Sequence, residues 1–300
     1  MDEMWDCVIV GGGAAGLSAA LVLGRARRHT LVVDAGAQSN LAAHGIGGLL
    51  GFDGVPPAEF YAQGRRELKR YPSVQVCDGE VVSAAAGAGF TLGLADGSTV
   101  QTRRVLLATG MRYQSPSIPG LAELWGRSVF HCPFCHGWEV RDSPLAVLAD
   151  GDRAVHMATL LRAWSDDVVL LTKDLADAHR SRLAEAGVTV DDRTVAELSS
   201  ADGELEAVVF TDGTSLARRG LLVATTLHQR SALAAELGVK FAAPGPVSVE
   251  AVEVDGMYRT SVPGVFAAGD TCAQMPQVAA AIAAGSAAAA SVMASFLEER

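Results

Sequence analysis

The sequence predicts an α/β protein made of two Rossmann-like three-layer units. Three observations carry this expectation. An apolar, β-branched run from Trp5 to Val10 enters Gly11-Gly12-Gly13-Ala14-Ala15-Gly16 and then a helical stretch. A second series of strands and helices of similar order begins at Leu145, an internal duplication at the level of topology. The chain has 300 residues, enough for two domains of ordinary size.

In the first unit, the helix over Leu17–Leu23 is followed by a strand over Thr30–Val33 that ends in Asp34. Gly11 permits the sharp turn, Gly13 lets backbone N–H groups approach a pyrophosphate, and Gly16 lets the helix pack on the strand. Asp34 is placed to take a ribose hydroxyl. Ala14, Ala15, Ala35, Gln38, Asn40 and His44 are further candidate cofactor contacts around this turn and the loop after it. That loop, Gly36 to Pro57, is long and glycine-rich, as functional loops in compact domains tend to be. A solvated position for His44 is an equally good reading. An amphipathic helix over Ala58–Lys69 follows, then strands near Val74–Val76, Phe90–Leu94 and Val105–Ala108. The last of these runs into Ala108-Thr109-Gly110, a small-residue turn where backbone can pass close to a cofactor.

Pro116 to Pro119 reads as a hinge. The second unit then runs strand Leu145–Leu148, helix Ala154–Ala163, strand Val168–Leu171, helix Asp177–Ala186 and strand Val188–Val190. A hairpin around Val208–Phe210 and Asp212-Gly213 leads to strand Leu221–Ala224. Near the C-terminus, a strand ends in Gly269-Asp270, and Pro276-Gln277-Val278 opens an Ala-rich helix. This again faces a cofactor. From Val278 to Phe296 there is no charge, but Ala, Gly and Ser drive membrane insertion weakly, so a packed helix is expected.

The net charge of −10 argues against a nucleic-acid or anionic-membrane partner, since either calls for a basic face. The N-terminus, Met1-Asp2-Glu3-Met4, is acidic where a secretory signal would be basic. The five cysteines make no disulfide framework, and a cytoplasmic location is expected. Two of them form His131-Cys132-Pro133-Phe134-Cys135-His136. A Cys-x-x-Cys pair commonly has one thiol with its pKa lowered to about 7, partly thiolate at neutral pH and ready for disulfide exchange. His136, or His131, is the candidate proton carrier. Covalent haem attachment uses the same spacing but goes with export. Zinc needs four ligands as a rule, and Cys7, Cys77 and Cys272 are scattered singly, so no metal is expected.

Taken together, Gly11 to Gly16, Ala108-Thr109-Gly110, Cys132-x-x-Cys135 and Gly264-Val265-Phe266-Ala267-Ala268-Gly269-Asp270 resemble the low-molecular-weight thioredoxin reductase family of flavoproteins. The resemblance covers nearly the whole chain. It implies a discontinuous FAD-binding domain, 1–115 plus 246–300, with Asp270 holding the ribityl-phosphate region and Gln277 and Val278 near the ring. It implies a second domain, 116–245, that carries the cysteines, with Cys135 facing the flavin and Cys132 meeting the substrate. It also implies a homodimer.

Departures from the family shape the remaining expectations. Where a second glycine-rich turn stands in the family, this chain has Ala149-Asp150-Gly151-Asp152-Arg153-Ala154. Two aspartates lie where a pyrophosphate would sit, and at ~4 Å like charges repel by roughly 1 kcal/mol in water. The family's arginine-rich stretch is replaced by Leu171-Thr172-Lys173-Asp174, and Val223-Ala224-Thr225-Thr226 lacks an expected glycine. The second domain is therefore expected to have lost NADPH binding. Cys132-Pro-Phe-Cys135-His136-Gly-Trp-Glu139 resembles the dithiol oxidases of gliotoxin-, holomycin- and romidepsin-type natural products. The resulting expectation is an FAD-dependent oxidase that closes a disulfide in a small-molecule dithiol and passes the electrons to O2, giving H2O2. An NAD(P)H- or ferredoxin-fed disulfide reductase and a flavin redox sensor without turnover are the alternatives.

Overall fold

The computed structural model describes residues 4–273 and 275–298. The acidic start Met1–Glu3 lies outside the described residues. The strands in chain order are β1 (Trp5–Val10), β2 (Thr30–Asp34), β3 (Val74–Asp78), β4 (Val81–Ala86), β5 (Phe90–Leu94), β6 (Thr99–Leu107), β7 (Met111–Gln114), β8 (Val129–Phe130) and β9 (Leu145–Leu148). They continue with β10 (Val168–Leu171), β11 (Val188–Asp191), β12 (Val195–Ala201), β13 (Glu204–Phe210), β14 (Ser215–Ala217), β15 (Gly220–Val223), β16 (Thr226–Gln229) and β17 (Val265–Ala267). The helices are α1 (Ala14–Arg25), α2 (Pro57–Leu68), α3 (Leu121–Leu124), α4 (Pro133–His136), α5 (Gly151–Leu161), α6 (Asp177–Glu185), α7 (Leu233–Glu236) and α8 (Val278–Ser295). This mixed α/β architecture, with two parallel-sheet units, agrees with the predicted class.

The first compact unit comprises residues 1–41, 57–113 and 226–300, so it is discontinuous as expected. Its sheet runs β3-β2-β1-β6-β5-β4, and β17 joins it parallel to β6. Strand β1 lies parallel between β2 and β6, with Val10 opposite Val33 and Leu107. The ends of these strands therefore meet at one edge, where ligands bind in open α/β sheets. One face buries Ile9, Leu106 and Phe266 against Leu23 and its neighbours on α1 and against α8. The other buries Val8, Leu92, Val105 and Val265. Helix α8 is long and apolar enough to cross a membrane by length and composition. In the fold it packs along α1, and a β-carbon on Gly285 would fall 2.0 Å from the Ala15 carbonyl oxygen. Only a glycine permits that approach.

The second unit comprises residues 42–56 and 114–225. Its parallel sheet has the order β11-β10-β9-β15-β8, and β12-β13-β14 form a separate antiparallel sheet. Strands β9, β10 and β15 are continuous apolar runs because both of their faces are covered. Phe130, Val147, Leu161 and Leu170 fill one side; Val129, Ala146, Leu171 and Phe210 fill the other.

The boundaries differ from the expected 1–115 plus 246–300 and 116–245. Residues 226–245 belong to the first unit, because Leu233, Ala234, Leu237 and Val239 complete its core. Residues 42–56, half of the glycine-rich loop, belong to the second. There the Asp53 carboxylate accepts the Gly48 N–H at 2.8 Å, and a β-carbon on Gly47 would lie 2.6 Å from the Cys135 carbonyl oxygen.

Candidate functional site

In the first unit, three strand ends build a crevice. Gly11 has φ +108°, and a β-carbon there would strike the Ala108 carbonyl oxygen at 2.3 Å. Gly16 is equally closed, since a β-carbon there would lie 1.9 Å from the Gly11 carbonyl oxygen, whereas one on Gly13 would meet nothing nearer than Gln38 at 3.8 Å. Two glycines are thus demanded by packing, and the middle one leaves open backbone. No side chain caps the start of α1 at Gly13, so its first-turn N–H groups are available to an anion. Ala14 and Ala15 form that first turn. Ala108 donates its N–H to Val10, and Ala268 donates to Leu107, which brings Thr109, Gly110, Gly269 and Asp270 to the same edge.

Asp34 is buried at the end of β2. Burial alone would raise its pKa; the Arg65 guanidinium and the backbone N–H groups of Gly36 and Gly12 outweigh this and hold it below the usual carboxylate range. Arg65 Nη2 lies 2.5 Å from Asp34, and Nη1 lies 2.6 Å from Asp78. Gln38 donates to both Asp34 oxygens at 3.1 Å. Ala35 is exposed beside this network. Asn40 accepts the Tyr61 hydroxyl at 2.8 Å, and burial pushes that phenol up to about 12. The Asp270 carboxylate accepts the Tyr113 hydroxyl at 3.0 Å. Desolvation raises the Asp270 pKa, against the pull of Tyr113 and Arg230. Gln277 caps α8 and Val278 is its first residue.

Arg65, Tyr61, Tyr113 and Arg230 were not singled out by sequence. Arg65 stands on a helix recognised only as amphipathic, and no local spacing ties it to Asp34, 31 positions away.

The open backbone at Gly13 and the uncapped start of α1 suit the phosphates of a dinucleotide. The Gly11–Gly16 turn, Asp34, Thr109–Gly110 and Gly269–Asp270 would hold FAD, with Gln277 and Val278 at the start of α8.

The second unit carries the sulfurs. His131 follows strand β8, and Cys132 stands at the N-cap of the one-turn helix α4, with Pro133 at its first position. Proline suits that position because its missing N–H would be unpaired anyway. Cys132 and Cys135 form a disulfide. Gly137 lies so close to Pro133 and Trp164 that a β-carbon would come within 2.9 Å of the indole.

His136 stacks on Phe130 at 5.7 Å, and its Nε2 donates to the Gly126 carbonyl at 3.1 Å. Its Nδ1 is buried and has no hydrogen-bond partner. Desolvation lowers its pKa, opposed by the Gly126 bond and the Glu139 charge. His131 stacks on Trp125 at 5.7 Å. Burial, then the charges of His136 and Arg153, push it down to about 4. Both imidazoles are therefore neutral at pH 7. His44 also belongs to this unit, with its Nε2 3.6 Å from a Glu204 oxygen. Among the described residues, no cluster of three or more His, Cys, Asp or Glu side chains could hold a metal ion.

Comparison with known proteins accounts for both halves. The chain matches the family described as pyridine nucleotide-disulphide oxidoreductase over residues 5–285. It is 35% identical to thioredoxin reductase tcpT of Claviceps purpurea, over 93% of this chain and 90% of that protein. The crystal structure of an oxidoreductase from Agrobacterium tumefaciens superposes with a TM-score of 0.93 at 35% identity, covering 99% of this chain and 100% of that one. The crystal structure of HlmI superposes at 0.94 with 37% identity, covering 100% of this chain and 95% of that one.

These findings correct the expected reaction and partners. The relatives are named as thioredoxin reductases, and the family is described by a pyridine nucleotide and a disulfide as its redox pair. Neither O2 as acceptor nor a small-molecule dithiol as substrate follows from them. The expectation of an oxidase came from the run around Cys135-His136 and from the altered phosphate turn of the second domain; that run sets only the chemistry next to the sulfurs, and the family match spans the second domain as well. The chain belongs to the pyridine nucleotide-disulphide oxidoreductase family and is an FAD-dependent thiol-disulfide oxidoreductase of the thioredoxin reductase type.

Proposed function

We propose that the chain is a disulfide reductase that carries electrons from a reduced pyridine nucleotide, through FAD, to the Cys132–Cys135 pair and on to a protein disulfide of the thioredoxin kind. The observation that supports it best is the Cys132–Cys135 disulfide on the short helix beside His136. FAD, when bound, accepts two electrons and passes them to a disulfide. The protein's own residues account for the rest. The turn Gly11–Gly16 and Asp34 orient the cofactor. In the reduced pair, Nδ1 of His136 takes the proton of the Cys132 thiol. The thiolate attacks one sulfur of the partner's disulfide, and the departing partner sulfur takes the proton from His136. His136 next takes the proton of the Cys135 thiol, and the Cys135 thiolate attacks Cys132 in the mixed disulfide. The enzyme disulfide closes, and the second partner sulfur takes that proton from His136 and leaves as a thiol. Two electrons and two protons have passed to the partner, so the exchange balances. Cys135 would be the sulfur that a bound flavin reduces, and Cys132 the sulfur that meets the partner.

A homodimer in the cytoplasm belongs to the same reading. It is supported by the family resemblance and by the use of cysteine as a redox pair.

The test is anaerobic. The flavin-loaded enzyme is mixed with NADH or NADPH, and the flavin absorbance is followed with and without oxidised thioredoxin. Bleaching by a nucleotide and recovery on adding thioredoxin are expected. No formation of thioredoxin thiols with either nucleotide would overturn the reading.

A further inference from the structure

The parallel sheet of the second unit reverses its order between β9 and β15, and the C-terminal ends of its strands form the crevice where a second dinucleotide belongs. Asp150 stands at that edge. It follows β9 and caps α5, but not by bonding the helix N–H groups. Instead its Oδ1 accepts the Thr172 hydroxyl at 2.6 Å and the Lys173 N–H at 3.3 Å, both just past the end of β10. The carboxylate is thereby tied across the two strand ends, between the pyrophosphate position at the turn and the adenosine ribose position at the end of the second strand.

Several other groups around the turn are engaged elsewhere, while the Lys173 side chain stands exposed at the end of β10. The Gly151 N–H, the first donor a phosphate would seek, is given to the Asp174 carbonyl at 3.3 Å. Arg153 Nη1 donates to the Thr225 carbonyl at 2.7 Å. Asp152 is exposed and lies 3.4 Å from His179. On the neighbouring edge, Arg180 is paired with Asp192 at 2.8 Å, and Arg193 is paired with Asp191 at 2.5 Å.

Resting on the reading of a nucleotide-fed reductase, we infer that Asp150 is the residue that sets dinucleotide affinity and selectivity in the second unit. Its anchored carboxylate holds pyrophosphate binding weak and disfavours NADP more than NAD, because the 2′-phosphate adds negative charge beside it.

The experiment is calorimetric titration of NAD+ and NADP+ into flavin-loaded wild type, Asp150→Asn and Asp152→Asn. Asparagine keeps the acceptor for Thr172 and removes only the charge. Asp150→Asn is expected to tighten NAD+ about fivefold, and NADP+ by more, the scale of one like-charge contact at a solvent-exposed carboxylate. Asp152→Asn is expected to change either by less than about threefold, because its carboxylate is not tied across the strand ends as that of Asp150 is and lies beside His179. Where wild type binds too weakly to measure, the appearance of an isotherm in Asp150→Asn is the same gain. No gain in Asp150→Asn, or an equal gain in Asp152→Asn, overturns the assignment. The two readings separate. If neither nucleotide bleaches the wild-type flavin while Asp150→Asn binds more tightly, the reductase reading falls and the role of Asp150 stands. Efficient bleaching of the wild type with no gain in Asp150→Asn keeps the reductase reading and removes the role of Asp150.

Discussion

Nε2 of His136 lies 3.1 Å from the carbonyl oxygen of Gly126, ten residues earlier in the chain. A carbonyl only accepts, so Nε2 bears the hydrogen and Nδ1 bears the lone pair. Gly126 has φ +76°, and a β-carbon there would come within 3.2 Å of Ala42, so the partner that orients the ring is itself confined to glycine. His136→Gln should lower kcat/KM for the disulfide partner by about 10²-fold or more, the scale of a lost general base, while flavin content is kept. Wild-type activity should also show an acidic limb below pH ~6.5, because burial lowers this imidazole from its ordinary value. Rates measured from pH 5 to 8 check both. A variant that keeps the limb would show that another group titrates.

Cys132→Ser and Cys135→Ser should each abolish turnover and leave the flavin bound, since both cysteines lie in the second unit and the dinucleotide turn lies in the first. Absorbance spectra and a thiol-release assay decide it. Full activity in either variant would exclude the disulfide relay.

Gly285→Val should cost about 3 kcal/mol or more. The added carbon would meet the Ala15 carbonyl oxygen at 2.0 Å, so α8 must move away from the turn that would hold the cofactor. Urea unfolding and flavin retention should both fall. Ala283→Val, on the exposed face of the same helix, should stay within about 0.5 kcal/mol of wild type. Equal effects from the two would show that the close approach of α1 and α8 is not what matters.

Stability should drop on acidification through the window between pH ~6.5 and pH 4. His131 is held neutral in the fold, with its pKa pushed down to about 4, whereas in the unfolded chain it protonates near pH ~6.5. The unfolded state therefore binds the extra proton in that window, and stability rises with pH there and is lost as pH falls. The contribution of this group is at most about 3 kcal/mol by pH 4. His131→Phe keeps a ring for the stack on Trp125 and should flatten the slope. Urea midpoints at pH 7, 5.5 and 4.5 measure it. An unchanged slope would remove His131 as the cause.

Much of the parallel scaffold is legible in the sequence. Strands β1, β9, β10 and β15 are short, mostly apolar runs, and buried parallel strands need that pattern. The edge strands are less visible. In β4 only Val81 and Ala84 are buried, and a strand of small residues carries no clear alternation. Sequence alone puts the segment 226–245 with the second unit, because Leu233, Leu237 and Val239 look alike whichever core they enter.

By itself, the order of residues determined the two dinucleotide-type units, the glycine turn at Gly11–Gly16 and the redox pair Cys132–Cys135. These are local patterns, fixed by backbone sterics and by the reach of two sulfurs three positions apart. Tertiary structure alone decided which groups act on them. It set Arg65 against Asp34, Tyr113 against Asp270, Gly126 against His136 and Thr172 against Asp150. Partners 10 to 157 positions apart in sequence meet only when strand ends and helix starts are brought to one edge. No spacing along the chain encodes that meeting, because it is made by the packing of the core beneath.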